Sequence, residues 1–112
     1  MEKTDFIKLL KPDEQSYLNR VISNVNDHVV RISIMTAPYP WHYHPDSDET
    51  FIGIEGTVII ETRDELIELT PGTVVTIPKG VAHCTRPKDK HSRNLTVEYA
   101  NLQTIYVDNN NH

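Results

Sequence analysis

The chain has little sulfur and little glycine. Among 112 residues there is one cysteine, Cys84, and there are four glycines, all between Gly53 and Gly80. A lone thiol cannot close an internal disulfide, and it excludes zinc sites built from several cysteines. Positive charge is also scarce. Eleven Lys and Arg stand against sixteen Asp and Glu, a net charge of −5, which argues against a nucleic-acid partner. The densest basic stretch, Arg86 to Arg93, is broken by Asp89 and reads as a solvated loop. No apolar run approaches the roughly 20 residues that span a bilayer. The opening MEKTDFIKLLKPDEQ carries no signal-peptide core, so a cytoplasmic protein with no membrane partner is expected.

The hydrophobic fraction of 38% is modest, but Val, Ile, Leu and aromatics recur from Phe6 to Val107. A single domain of this size buries roughly 65% of its unfolded surface and folds without staples. The local signal is β. Runs rich in Val, Ile and Thr at 28–35, 49–55, 57–63, 65–70, 73–78 and 94–100 alternate with Gly and Pro punctuation. No segment holds a long helical period. The reading is all-β, a sandwich or small barrel over residues 28–107. Residues 1–27, with a further candidate strand YLNRVISNV, form an arm that packs on the barrel or on a partner subunit. Residues 108–112 are a polar tail.

The chemistry lies in PWHYHPDSDETFIGIEG, residues 40–56. Side chains at i and i+2 of a strand share a face, so His42 and His44 aim together. Pro45 to Asp48 reads as a turn that returns Glu49 on the adjacent strand. Two imidazoles and a carboxylate suit a first-row transition metal. A second stretch, PGTVVTIPKGVAHC, brings His83 to the end of a strand–turn unit. If the strand pairs pack face to face, His83 completes the set and leaves up to two positions open on an octahedral ion.

These stretches resemble the two motifs of the cupin family, small double-stranded β-helix (jelly-roll) barrels. The first, G-x5-H-x-H-x3,4-E-x6-G, matches at His42, His44, Glu49 and Gly56. The second, G-x5-P-x-G-x2-H-x3-N, matches at Gly72, Pro78, Gly80 and His83. Thr36 replaces the opening Gly and Pro87 the closing Asn, neither of them a ligand in the family. The resemblance implies one divalent transition metal per chain (Fe, Mn, Ni, Co, Cu or Zn) on His42, His44, Glu49 and His83. Some relatives use three His alone and leave the carboxylate beside the ligands; Glu49 is thus either a ligand or a group that can detach and act as a catalytic base. It also implies an enzyme of dioxygenase, isomerase or lyase type acting on a small oxygen-bearing molecule, the alternative being a binding cupin that senses a ligand or metal. Cupins of this kind are commonly dimers.

Strand parity adds further expectations. With Glu49 inward, Phe51 and Gly53 face the cavity, Phe51 as a substrate contact. Ile52, Ile54, Trp41 and Tyr43 face outward, and a homodimer burying Ile52, Ile54 and Trp41 would cover them. Arg31, Ser33 and Met35 share one face of their strand. If that face is the cavity, Arg31 can hold a substrate carboxylate; otherwise it is a solvent-facing residue. His28, His91 and His112 read as surface residues, and Cys84 as facing away from the metal.

Overall fold

The computed structural model describes residues 1–8 and 17–108, so arm residues 9–16 and tail residues 109–112 lie outside the described residues. Ten strands run in chain order among the described residues. They are β1 (Tyr17–Val25), β2 (His28–Met35), β3 (Tyr39–Tyr43), β4 (Glu49–Glu55) and β5 (Val58–Thr62). There follow β6 (Leu66–Leu69), β7 (Val74–Ile77), β8 (His83–Pro87), β9 (Ser92–Tyr99) and β10 (Ile105–Tyr106). They form two five-stranded sheets, β1-β2-β9-β4-β7 and β10-β3-β8-β5-β6. Every pairing within them is antiparallel, the arrangement of a jelly-roll barrel.

β1 extends the first sheet by pairing along β2 from Tyr17↔Met35 to Val25↔His28. Asn26 makes the tight turn between them at φ 54°, a backbone region few side chains other than Asn and Asp tolerate. Residues 1–8 reach the same barrel, where Arg93 Nη1 donates to the Ile7 carbonyl at 3.1 Å. Among the described residues no helix is long and apolar enough to cross a membrane.

The apolar core fills one part of the barrel: Met35, Phe51, Val58, Ile60, Leu69 and Ile77, all nearly solvent-free. Three of the six, Val58, Ile60 and Ile77, are β-branched and suit the pleated surface of a strand. Trp41 does not stay bare on the outside. The Arg63 guanidinium covers its ring, 4.1 Å from the centroid. The basic stretch is not a loop either: Arg86 lies in β8 and Arg93 in β9, which leaves only the turn between them free. Its charges pair across strands, Arg86 with Glu61, Lys88 with Glu68 and Arg93 with Glu55.

Gly53 departs from its expected place. It points inward and is buried, but it does not line the cavity. A Cβ there would stand 2.2 Å from the Thr70 carbonyl oxygen. The close approach locks β4 to the turn before β7, with Gly53 N donating to Thr73 O and Gly72 N to Gly53 O. Gly53→Ala is therefore expected to destabilise the fold by about 3 kcal/mol. Urea denaturation measures this, and a loss below about 0.5 kcal/mol would contradict the close-packing account.

Candidate metal centre

The expected ligands converge, by a different route from the one parity suggested. His42 on β3 sits directly across from His83 on β8, Cα partners in one sheet. His44 follows immediately after β3. Glu49 opens β4, which belongs to the other sheet. The Pro45–Asp48 turn thus crosses between sheets instead of returning on an adjacent strand. The carboxylate, not His83, is the group that arrives from across the barrel.

The motif's variable positions hold that crossing in place. Asp46 accepts a hydrogen bond from Gln103 N at 3.0 Å. Asp48 Oδ1 accepts from Lys79 N at 2.9 Å. Buried Ser47 accepts from Tyr99 N at 3.1 Å. Gly80 N donates to the His44 carbonyl at 2.8 Å. Short side chains with carboxylate or hydroxyl oxygens suit this task because they cap backbone N–H groups that no strand ladder satisfies.

All four groups are buried: His42 is 5% exposed, His44 7%, Glu49 9% and His83 1%. One ligand atom from each lies within 4.8 Å of every other. Glu49 Oε1 is 3.3 Å from His44 Nε2 and 3.2 Å from His83 Nε2. Ligands about 2.1 Å from a shared ion stand about 3.0 Å apart in neighbouring octahedral positions, so the spacing fits a first-row metal with little adjustment. The imidazoles are also aimed. His42 Nδ1 donates to the Pro40 carbonyl at 2.7 Å, His44 Nδ1 to Gln103 at 2.9 Å and His83 Nδ1 to Val81 at 2.9 Å. Each bond places the ring proton on Nδ1 and leaves the Nε2 lone pair for a cation. The donor set therefore fits the metal that the motifs imply.

Protonation follows from the same contacts. Burial, and then the neighbouring His83 and His44, hold His42 down at about 4 against the Pro40 carbonyl, which pulls the other way. Burial also acts on His44, but its bonds to Glu49 and to the Gln103 carbonyl outweigh it, and the net shift is upward. Burial would raise Glu49, yet in the metal-free protein the Nε2 groups of His44 and His83, when protonated, donate to it and hold it down at about 2.

A cavity of about 300 Å³ opens over this cluster. Phe51 and Met35 form its apolar floor, and the Phe51 ring meets His83 edge-on at 6.1 Å between centroids. Arg31 lines the same cavity, together with Ser33, and is not a solvent-facing edge residue. Ile32 and Ile34 alternate with them on the other face of β2. Sequence reasoning missed the rest of the wall: Asn94, Thr96 and Glu98 on β9, and Tyr39 near the mouth. It also missed the segment around β10. There Leu102 and Thr104 line the cavity and Gln103 orients His44. The Tyr39 and Tyr106 hydroxyls are hydrogen-bonded to each other, joining β3 to β10. Cys84 alternates with His83 and points away from the cluster, where burial and the Glu61 charge raise its thiol. His28 pairs with Asp27 and His91 with Glu55, both away from the site.

Two antiparallel sheets closed around three imidazoles and a carboxylate, with a cavity above them, define a cupin barrel. Known proteins agree. The family described as "Cupin domain" matches residues 30–96, more than half of the chain. A Bacillus subtilis protein, the uncharacterized YdbB, is 41% identical over 96 residues, covering 85% of this chain and 84% of its own. A cupin-2 domain protein from Shewanella frigidimarina has a crystal structure that superposes with a TM-score of 0.72 at 32% identity. That match covers 84% of this chain and 97% of the other. A Thermus thermophilus protein shares the fold at TM-score 0.78 and 20% identity, covering 88% of this chain and 97% of its own. The chain belongs to the cupin family.

Because every imidazole must be neutral to bind a metal, and His44 holds its proton above the ordinary histidine range, protons compete with the metal. Metal affinity is expected to fall about tenfold per pH unit as pH drops from about 7 to about 5. In the metal-free protein, depressed His42 takes its proton more readily in the unfolded chain. Its contribution to stability is complete above 6.5 and is lost as pH falls toward 4. Competition with a fluorescent chelator across this range checks the first expectation, and a pH-independent affinity would contradict histidine ligation.

Proposed function

We propose that the chain is a metal-dependent enzyme whose divalent transition metal is held by His42, His44, His83 and Glu49. Its substrate would be a small oxygen-bearing organic molecule. The observation that carries this reading is the gathering of three imidazoles, each with Nδ1 bonded to a backbone carbonyl, around Glu49 beneath a polar, solvent-reachable cavity. A structural barrel has no need of buried polar groups, because apolar side chains would fill the same space without a desolvation cost. The metal, when bound, supplies Lewis acidity or brings substrate and dioxygen together, the chemistry of dioxygenases, isomerases and lyases.

The chain's own residues do the rest. The three carbonyl partners fix the imidazoles before any ligand arrives. Glu49 neutralises positive charge at the centre, and its carboxylate can accept a proton from a substrate carbon. Phe51 and Met35 exclude water from below and offer an apolar contact to the substrate. Arg31 supplies the only cationic side chain among the described residues lining the cavity that is not an imidazole.

The same reading puts the protein in the cytoplasm, where Cys84 stays reduced. It also joins two copies across the outer face of β4, where Ile52 and Ile54 are only half-buried.

Elemental analysis of protein purified without chelators should find about one equivalent of transition metal. His42→Ala and His44→Ala should each lower metal affinity at least about 100-fold with the β-sheet spectrum intact. Turnover of hydroxy and keto acids should vanish on metal removal. Ligand binding without turnover in every metal form would make the protein a binding cupin, and full metal retention in both variants would remove the site.

A further inference from the structure

The wall of the cavity facing the metal cluster is built against the usual pattern. In β9, Ser92, Asn94, Thr96 and Glu98 are all buried, while Arg93, Leu95 and Val97 between them are partly exposed. β2 also turns polar residues to the cavity, Arg31 and Ser33, while Ile32 and Ile34 on its other face are buried as well. The two strands place these residues opposite one another, Arg31↔Thr96 and Ser33↔Asn94. A row of polar side chains inside a small barrel is costly unless something satisfies it.

Inside the chain it is only partly satisfied. Glu98 Oε1 receives Arg31 Nε at 3.2 Å and Thr96 Oγ1 at 3.4 Å. Arg31 Nη1 donates to Asn19 at 3.3 Å, and Asn94 Nδ2 donates to the Leu95 carbonyl at 3.3 Å. Glu98 Oε2 and Asn94 Oδ1 have no partner among the described residues. Both residues line the cavity, and they are 3% and 1% exposed. With Glu98 ionised each bare oxygen is an acceptor, so whatever completes the wall must bring donors. The adjacent Arg31 guanidinium disfavours an ammonium group, because like charges would meet. Neutral donors fit better, hydroxyl groups among them.

We propose that Asn94 and Glu98 form the specificity subsite of the metal centre, recognising the hydroxyls of a small polyhydroxylated ligand whose other end reaches the metal. Arg31 positions Glu98 and donates to a ligand oxygen. The cavity of about 300 Å³ lies at the small end of ligand pockets, which suits a compact sugar-like acid or polyol. This inference rests on the metal-site reading given above, but it concerns a different face of the cavity and fails separately from it.

Three probes isolate the hydroxyl contribution: lactate, glycerate and threonate. They share an α-hydroxy carboxylate that chelates a metal alike, and they differ in the number of further hydroxyls. Calorimetry on Mn(II)-loaded protein at pH 8, above the range in which Glu98 titrates, should show threonate or glycerate binding at least about tenfold tighter than lactate, as expected for a hydroxyl donating to a charged acceptor. Glu98→Gln turns the bare acceptor into a donor at nearly constant shape, and Asn94→Leu removes the other acceptor. Either should cut the preference to under about threefold while metal content and lactate affinity stay at the wild-type level. Equal binding of all three probes by the wild type would overturn the proposal, as would an undiminished preference in both variants. If the chain takes up no metal, the enzyme reading falls. The subsite is then read from the Asn94 side-chain amide resonances. Shifts with threonate but not lactate support it, and no shift overturns it.

Discussion

The structure turns on the burial of one carboxylate and three imidazoles at the centre of a small barrel. Groups that polar cost several kcal/mol each when taken out of water unless they find charge or hydrogen bonds inside. Here each imidazole uses one nitrogen for a backbone carbonyl, and His44 and His83 bring the other to 3.3 and 3.2 Å from Glu49. The carbonyls come from three places: the start of β3, the turn before β8, and the segment leading into β10. That requirement explains features that look incidental in isolation. They include the crossing turn pinned by Asp46, Ser47 and Asp48, the short β10, and the segment that brings Gln103 over His44.

The remaining interior divides by chemistry. Below the cluster the barrel is an ordinary apolar core, and Phe51 and Met35 belong both to it and to the cavity floor. Beside the cluster, β9 reverses the usual orientation, and β2 adds Arg31 and Ser33 to the same polar wall. A barrel that bound only a metal would need the first arrangement and not the second. The raised Glu98 carboxyl, pushed by burial and then by Glu49 up to about 7, records the same tension, which the Arg31 ion pair only partly offsets.

Much of the centre was legible in the sequence because the two motifs fix spacing as well as residue type. His42, His44, Glu49 and His83 could be named without coordinates. Their route of approach could not, since the sequence does not say which sheet receives β4. The strand read at 94–100 already puts Asn94, Thr96 and Glu98 on one face, and the structure extends it back to Ser92. The rule that apolar faces point inward assigns that face to solvent, and only the barrel's topology reverses it. Arg31 was caught in the same ambiguity, with the cavity as one of two open readings. Gly53 and Trp41 depended on long-range neighbours, the Thr70 carbonyl and the Arg63 guanidinium, which no local pattern announces. The role of Gln103 rests on a contact spanning 59 positions to His44, beyond any motif.

A crystal of the purified protein, measured on both sides of the absorption edge of its resident metal, addresses the central claim most directly. The account predicts one anomalous peak per chain, about 2.1 Å from the Nε2 atoms of His42, His44 and His83 and bonded to a Glu49 oxygen. An occupied metal at another place, or no anomalous signal at the cluster after soaking in Mn(II), Fe(II), Ni(II) and Zn(II), would contradict it.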